Sequence, residues 1–127
     1  GFNGSTAWVE PLARANALPR VMVNIDAIGV GTKVQLIGTS ELTSDALALA
    51  NAMGIDAEQT ELGAGFGSDH QSFEAAGVPV IFFASDQLGF LHTPQDTIDS
   101  LDRPVIDNGG ALAEAMIRQL LTRFAGG

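Results

Sequence analysis

The chain has no cysteine and few basic residues, and each shortage excludes a class of function. Without cysteine, disulfide bonds and thiolate metal sites are excluded, so a transition metal would need histidine or carboxylate ligands. Only 6 Lys and Arg residues stand against 15 Asp and Glu, which gives a net charge of −9. This balance provides no basic surface for nucleic acid and would be repelled by an anionic membrane. No apolar run reaches the ~20 residues that a membrane-spanning helix needs.

The pattern of apolar and turn residues predicts one α/β domain over residues 1–127. Helices are expected at 6–16 with Ser5 as N-cap, from Thr39 or Ser40 to Gly54, at 69–76, and from Pro104 to about Phe124; strands are expected at 21–28, 33–39, 56–62 and 78–85. The first two strands are expected to form a hairpin or to be neighbours in a sheet. The third is expected near an edge and the fourth at the centre. The order predicts a three-layer sandwich with helices flanking a mixed, mostly parallel sheet.

Asp26 is the first candidate for chemistry, because it lies within the apolar run VMVNIDAIG. A charged carboxylate in a buried strand is costly unless it is paired, hydrogen-bonded or bound to metal. The pattern alone leaves two interpretations open, metal ligation and capping of nearby backbone N–H groups.

His92 lies in a long irregular segment, 86–102, and loops of this length in compact domains are usually functional. Neutral imidazole is a common metal ligand, and Asp96, four residues later, is placed to fix the loop or the ring. The alternative is an ordinary surface histidine in a turn. Phe66, Phe90 and Leu91 are candidates for an apolar specificity pocket, with core or loop packing as the alternative.

Ser68, Asp69 and His70 open the third predicted helix, and Ser68 or Asp69 is expected to be its N-cap. A Ser-His-Asp triad is the other interpretation. It is disfavoured because adjacent residues at a helix start point apart and no G-x-S-x-G motif surrounds a serine.

Three segments, in this order and spacing, resemble the zinc aminopeptidase and glutaminyl-cyclase group, metallopeptidase family M28. They are NIDAIG at 24–29, SDHQSF at 68–73 followed by GVP at 77–79, and HTPQDT at 92–97. The resemblance implies that Asp26 ligates one zinc ion and His92 the other. It also implies that Asp69 supports the metal ligands or faces the substrate. His70 is a candidate for the same role, with a structural role as the alternative, and Asp96 is a candidate through its position after His92. Ala27 stands where the family often has Met.

The resemblance covers the C-terminal portion of the family's catalytic domain. The family carries an H-x-D motif and a Glu-Glu pair upstream, which supply the remaining ligands and the general base. The first five residues, GFNGS, are similar to the stretch that follows that pair. Glu10 and Glu41 do not match it, so no catalytic residue is expected in this chain and the base is expected upstream of Gly1. Asp26 and His92 serve different ions, whereas catalytic zinc takes about three protein ligands. The isolated chain is therefore expected to bind zinc weakly or not at all and to be inactive.

The function implied is two-zinc hydrolysis of N-terminal peptide bonds. The alternatives are cyclisation of N-terminal Gln and a non-catalytic interaction domain. Peptide is the expected substrate, and an exposed sheet edge is expected to associate with the N-terminal half of the domain or with a second copy. The family implies a secreted or extracytoplasmic location.

Overall fold

The computed structural model describes residues 2–126. The helices and strands are α1 (Asn3–Arg14), β1 (Met22–Ile25), β2 (Val34–Gly38), α2 (Ser40–Met53), β3 (Ala57–Gln59), α3 (His70–Ala75), β4 (Val80–Ser85) and α4 (Arg103–Ala125), with 3-10 turns at Leu88–Phe90 and Ile98–Ser100. Within this part of the chain, no helix is both long and apolar enough to cross a membrane.

The four described strands form one sheet in the order β1-β4-β2-β3. β1 is parallel to β4, and β3 is parallel to β2, while β2 and β4 are antiparallel. The predicted mixed and mostly parallel sheet is confirmed. β3 lies at one edge and β4 lies inside the sheet, also as predicted.

The first two strands are not adjacent, so the predicted hairpin or neighbouring pair is wrong. β4 lies between them because all six of its residues are buried, and a strand buried on both faces is most stable with a partner on each side. β1 also ends earlier than predicted, at Ile25, because Ala27 adopts a left-handed backbone conformation with φ 53°.

Alternate residues of β4 divide the core between two layers of helices. Ile81 and Phe83 point toward α2 and α4 and join the largest buried cluster. Val80 and Phe82 point to the opposite face, where α1 and α3 pack. The predicted three-layer arrangement follows directly from this alternation.

Two predicted helix caps use their hydroxyl groups elsewhere. Thr39 precedes α2, but its Oγ1 accepts a hydrogen bond from the Val80 amide, 2.9 Å away. Ser5 lies inside α1, which begins at Asn3, and its Oγ is 2.9 Å from Ser72 Oγ on α3. Both hydroxyl groups tie a helix to a neighbouring element instead of closing a helix end.

Gly109 and Gly110 are adjacent in α4 but have different surroundings. A methyl group at Gly109 would lie 2.7 Å from Cδ1 of Ile28, whereas one at Gly110 would have nothing within 4 Å. We expect Gly110→Ala to raise the free energy of unfolding by about 0.5–1 kcal/mol, since alanine favours helix. Gly109→Ala is expected to lower it by about 1–3 kcal/mol through overpacking against Ile28. Urea unfolding measures both, and equal effects at the two positions would contradict this difference.

Candidate functional site

Asp26 follows the last residue of β1 at the carboxyl end of the strand, and its side chain is exposed there. Its amide donates a hydrogen bond to the carbonyl oxygen of Phe83 at 3.2 Å, so the backbone of Asp26 is still paired with β4. The chain then turns sharply at Ala27. The Ser85 hydroxyl donates to the Ala27 carbonyl oxygen at 2.9 Å and accepts from the Gly29 amide at 3.2 Å. The end of β4 therefore holds the turn that follows Asp26.

A chain of hydrogen bonds connects Asp26 to the motif at 68–73. The Ser68 hydroxyl donates to Oδ2 of Asp26 at 2.7 Å. Nδ2 of Asn24 donates to Ser68 Oγ, also at 2.7 Å, and lies 3.5 Å from Nδ1 of His70. Asn24 and Asp26 are two residues apart at the end of a strand, which places both side chains on one face. The segments around 24 and 68 thus meet in space.

This network changes the interpretation of Ser68 and Asp69. Asp69 occupies the N-cap position of α3, but its side chain makes no capping hydrogen bond. Ser68 does not cap the helix either, since its hydroxyl oxygen accepts from the Asn24 side chain and its proton goes to Asp26. The predicted cap is therefore wrong in its hydrogen bonding, because a buried serine beside a strand end finds a carboxylate as acceptor.

The serine-hydrolase alternative also has the wrong connectivity. Asp26, Ser68 and His70 do come together, but Ser68 bonds directly to the carboxylate. The imidazole is next to Asn24. Because a triad requires the histidine between serine and aspartate, Ser68 is not an activated nucleophile.

His70 is a buried histidine, only 2% exposed, whose ring stacks on Phe82 with 4.6 Å between ring centroids. Burial lowers the pKa of His70 below its ordinary value of 6.5, and the nearby carboxylates of Glu74, Asp26 and Asp69 offset this only in part. The ring is therefore held in the neutral form. It also lines a cleft of about 290 Å³ between α3 and the segment after β3.

The lowered pKa predicts a pH dependence of stability. The unfolded chain protonates His70 more readily than the folded chain does. The free energy of unfolding therefore has its full value above pH 6.5 and decreases as the pH falls from 6.5 to the lowered pKa of His70. We expect the free energy of unfolding, measured with urea at a series of pH values, to decrease across this interval. His70→Gln should flatten the decrease, whereas the same change at the exposed His92 serves as the control. Identical slopes for wild type and His70→Gln would contradict the assignment.

The loop that carries His92 is fastened to the turn after Asp26. The Asp102 amide donates to the Gly29 carbonyl oxygen at 2.7 Å, and the Asp102 carboxylate accepts from the Gly31 amide at 2.8 Å. Nearby, Asp86 Oδ1 accepts hydrogen bonds from two backbone amides of the turn leading into β2. Burial raises the pKa of the Asp86 carboxyl, but these hydrogen bonds outweigh it and leave the pKa below its ordinary value. Carboxylates at both ends of the loop thus hold its position.

His92 itself is exposed and has a left-handed backbone with φ 62°. The Thr93 amide and hydroxyl both donate to the Phe90 carbonyl oxygen, which closes the turn around it. A left-handed conformation is uncommon for a residue with a side chain, and such positions cluster at functional sites. Both Ala27, next to Asp26, and His92 show this conformation.

A small pocket of about 120 Å³ lies between the turn after Asp26 and the loop that carries His92. Its wall includes Ala27, the neighbour of Asp26, and Leu91, the neighbour of His92. Phe90 contributes to the same wall, while Phe66 is exposed in another loop and lies outside the lining. Asp96 is the one acidic residue of the lining. The predicted apolar pocket is therefore built from two of the three residues proposed for it.

The residues that sequence reasoning missed are Asn24 as a hydrogen-bond donor and Ser85 as the organiser of the turn. The sequence could have indicated the role of Asn24, since a residue two positions before Asp26 in a strand lies on the same face. Ser85 had none, because a serine that ends an apolar strand is common and its three partners lie more than fifty residues away in the sequence.

The described residues do not by themselves form a complete metal site. Catalytic zinc takes three protein ligands, and no group of three His, Asp or Glu residues able to hold a metal occurs in residues 2–126. Asp26 suits one ligand position, since it is exposed at the strand end and Ser68 engages only its Oδ2. Residues 2–126 therefore offer candidate ligands one at a time and no closed coordination sphere.

Several solved bacterial proteins have a similar fold. LapA of Legionella pneumophila matches with a TM-score of 0.81 and 21% identity over 94% of this chain and 37% of its own. An aminopeptidase of Aneurinibacillus sp. strain AM-1 matches with a TM-score of 0.74 and 22% identity over 94% and 30%. BSAP, a zinc aminopeptidase from Bacillus subtilis, matches with a TM-score of 0.74 and 21% identity over 94% and 33%. At these identities the likeness shows the fold.

This chain spans about a third of the length of these structures. Among curated proteins, none matches. The model of peptidase family M28 matches residues 1–117, nearly the whole chain. With the three motifs in register and the aminopeptidase-like fold, this match establishes that the chain belongs to peptidase family M28.

Proposed function

We propose that this chain is the C-terminal part of a zinc aminopeptidase that hydrolyses N-terminal peptide bonds by a two-metal mechanism. Asp26 ligates one ion and His92 the other. The observation that carries this proposal is that Ala27 and Leu91, the neighbours of Asp26 and His92, line one pocket, although the two proposed ligands themselves lie outside its lining. A carboxylate and an imidazole on two converging segments are suitable ligands for two neighbouring ions.

In this proposal, bound zinc supplies an activated water and holds the scissile carbonyl oxygen. The residues of this chain prepare the site for it. Ser68 restrains one oxygen of Asp26, and Ser85 holds the Ala27 turn that follows it. The pocket beside Asp26 accepts an apolar side chain of the peptide against Phe90 and Leu91.

We place the general base in the residues that precede Gly1. The start of α1 supports this placement, because a methyl group on Gly67 would lie 2.6 Å from Cζ of Phe2. Gly67 is adjacent to Ser68, which binds Asp26. A polypeptide that leads into Phe2 therefore arrives beside the site, where a Glu-Glu pair would face the ligand.

The two edges of the sheet support association with the N-terminal half of the domain. The β3 edge is only three residues long and carries Glu58, which pairs with Lys33 at 3.5 Å. β1 contains no charge, and Ile25 at its end is 52% exposed. Short, charged edges resist pairing, whereas an uncharged one invites it. We propose that β1 pairs with a strand of that half, and self-association through the same edge is the alternative.

The test compares this chain with a longer polypeptide that includes the residues encoded upstream of Gly1. We expect the longer protein to release amino acids from aminoacyl-nitroanilides in a zinc-dependent reaction, and this chain alone to show no activity above background. A Gln-peptide assay separates the cyclase alternative, because cyclisation yields pyroglutamate without releasing an amino acid. A folded, zinc-loaded longer protein without either activity would reject the proposal and favour a non-catalytic domain.

A further inference from the structure

The hydrogen-bond chain at Asp26 has a fixed direction. An ionised carboxylate only accepts hydrogen bonds, so the proton of the 2.7 Å contact must come from Ser68. A hydroxyl group has a single proton and rotates to suit its neighbours. A second neighbour that also accepted from Ser68 would compete with Asp26 for this proton, whereas a donor would not.

Asn24 is such a donor to Ser68. Its Nδ2 lies 2.7 Å from Ser68 Oγ, and an amide nitrogen only donates. Ser68 must accept from Asn24, so its one proton remains available for the carboxylate. A serine held between a donor and an acceptor has only one good orientation of its hydroxyl group.

The Asn24 amide is itself prevented from turning over. Its Nδ2 also faces Nδ1 of His70 at 3.5 Å, and the His70 ring is fixed by burial and by stacking on Phe82. If the amide turned, its oxygen would face Ser68 and compete with Asp26 for the hydroxyl proton. With Nδ1 as the acceptor nitrogen of the neutral ring, the turn would also place two acceptors, Nδ1 and the amide oxygen, against each other.

We propose that Asn24 is a positioning residue for Asp26 that acts through Ser68, with His70 fixing the orientation of the Asn24 amide. Its significance for catalysis rests on the proposed function. The hydrogen-bond direction itself does not, since it is a property of the metal-free protein.

The first test measures the carboxyl ¹³C resonance of Asp26 by NMR in the metal-free chain. Asn24→Asp is nearly isosteric and replaces the donor by an acceptor that attracts the Ser68 proton. We expect it to shift the resonance in the direction that Ser68→Ala does. In a Ser68→Ala background the same change should produce a much smaller shift, which represents only the added charge. Equal shifts in the two backgrounds would overturn the proposal.

Two further variants keep the test decisive. Asn24→Leu removes the donor without adding charge and should also shift the resonance, by less, and only when Ser68 is present. Ser72→Ala removes a hydroxyl group one turn further along α3, bonded to Ser5, and should leave the resonance unchanged. A shift with Ser72→Ala as large as that with Ser68→Ala would overturn the proposal by showing a general effect of α3.

The second test uses the longer polypeptide and a chromophoric zinc chelator in competition. We expect Asn24→Leu to lower zinc affinity about tenfold, in the range seen for residues that orient metal ligands, and to have no further effect once Ser68→Ala is present. If the losses of zinc affinity from Asn24→Leu and Ser68→Ala multiplied in the double variant, Asn24 would not act through Ser68. If the longer polypeptide binds no zinc at all, the proposed function fails, while the carboxyl resonance still decides the role of Asn24.

Discussion

Asp26→Ala, introduced into the longer polypeptide, is expected to lower kcat/KM for an aminoacyl-nitroanilide about a thousandfold, equivalent to about 4 kcal/mol of transition-state stabilisation. The physical reason is the position of the carboxylate at the end of β1, where its contact with Ser68 restrains one oxygen. Alanine removes the proposed ligand and leaves the serine proton without its acceptor. Zinc titration calorimetry on the same protein should show the loss of binding directly.

The control for this experiment is Asp99→Ala, which removes an exposed carboxylate from the 3-10 turn Ile98–Ser100. It makes the same change in net charge and should leave both activity and zinc binding near wild type. His92→Ala should resemble Asp26→Ala. If Asp26→Ala retains more than a tenth of the activity while the protein remains folded, Asp26 is not a ligand of a catalytic ion.

Gly38→Ala is expected to have the largest effect on stability, lowering the free energy of unfolding by at least about 4 kcal/mol. Gly38 ends β2 with φ 125°, a conformation that essentially only glycine adopts. A methyl group there would overlap the Val80 carbonyl oxygen and lie 3.0 Å from the carbonyl carbon. Neither backbone can move without breaking the pairing of β2 with β4, so the strain cannot be relieved locally.

Gly54→Ala separates backbone strain from steric overlap. Gly54 also has a positive φ, 68°, at the end of α2, but a methyl group would meet nothing within 4 Å. Gly54→Ala is expected to lower the free energy of unfolding by about 1–2 kcal/mol, the cost of placing alanine in the left-handed region. Urea unfolding of both variants measures the difference, and equal losses at the two glycines would show that the Val80 contact is unimportant.

Much of the fold was predictable because its signals are local. β4 is the most apolar segment, and its burial and central position follow from that composition. The helix ends were less predictable. Thr39 and Ser5 look like caps in the sequence, but their hydroxyl groups bond to β4 and α3. A hydroxyl group satisfies either the adjacent helix end or a distant partner, and only the packing of the elements decides between them.

By itself, the sequence determined the family, the type of each element and the candidacy of Asp26 and His92, because motif chemistry and periodicity are contained in short segments. Only the tertiary structure decided that β4 separates β1 from β2 and that Ser68 and Asn24 hold Asp26. Ser68 is 42 residues from Asp26 and 44 from Asn24 along the chain. Their contact exists because α3 packs over the end of β1, and no local pattern encodes which distant acceptor a serine proton will reach.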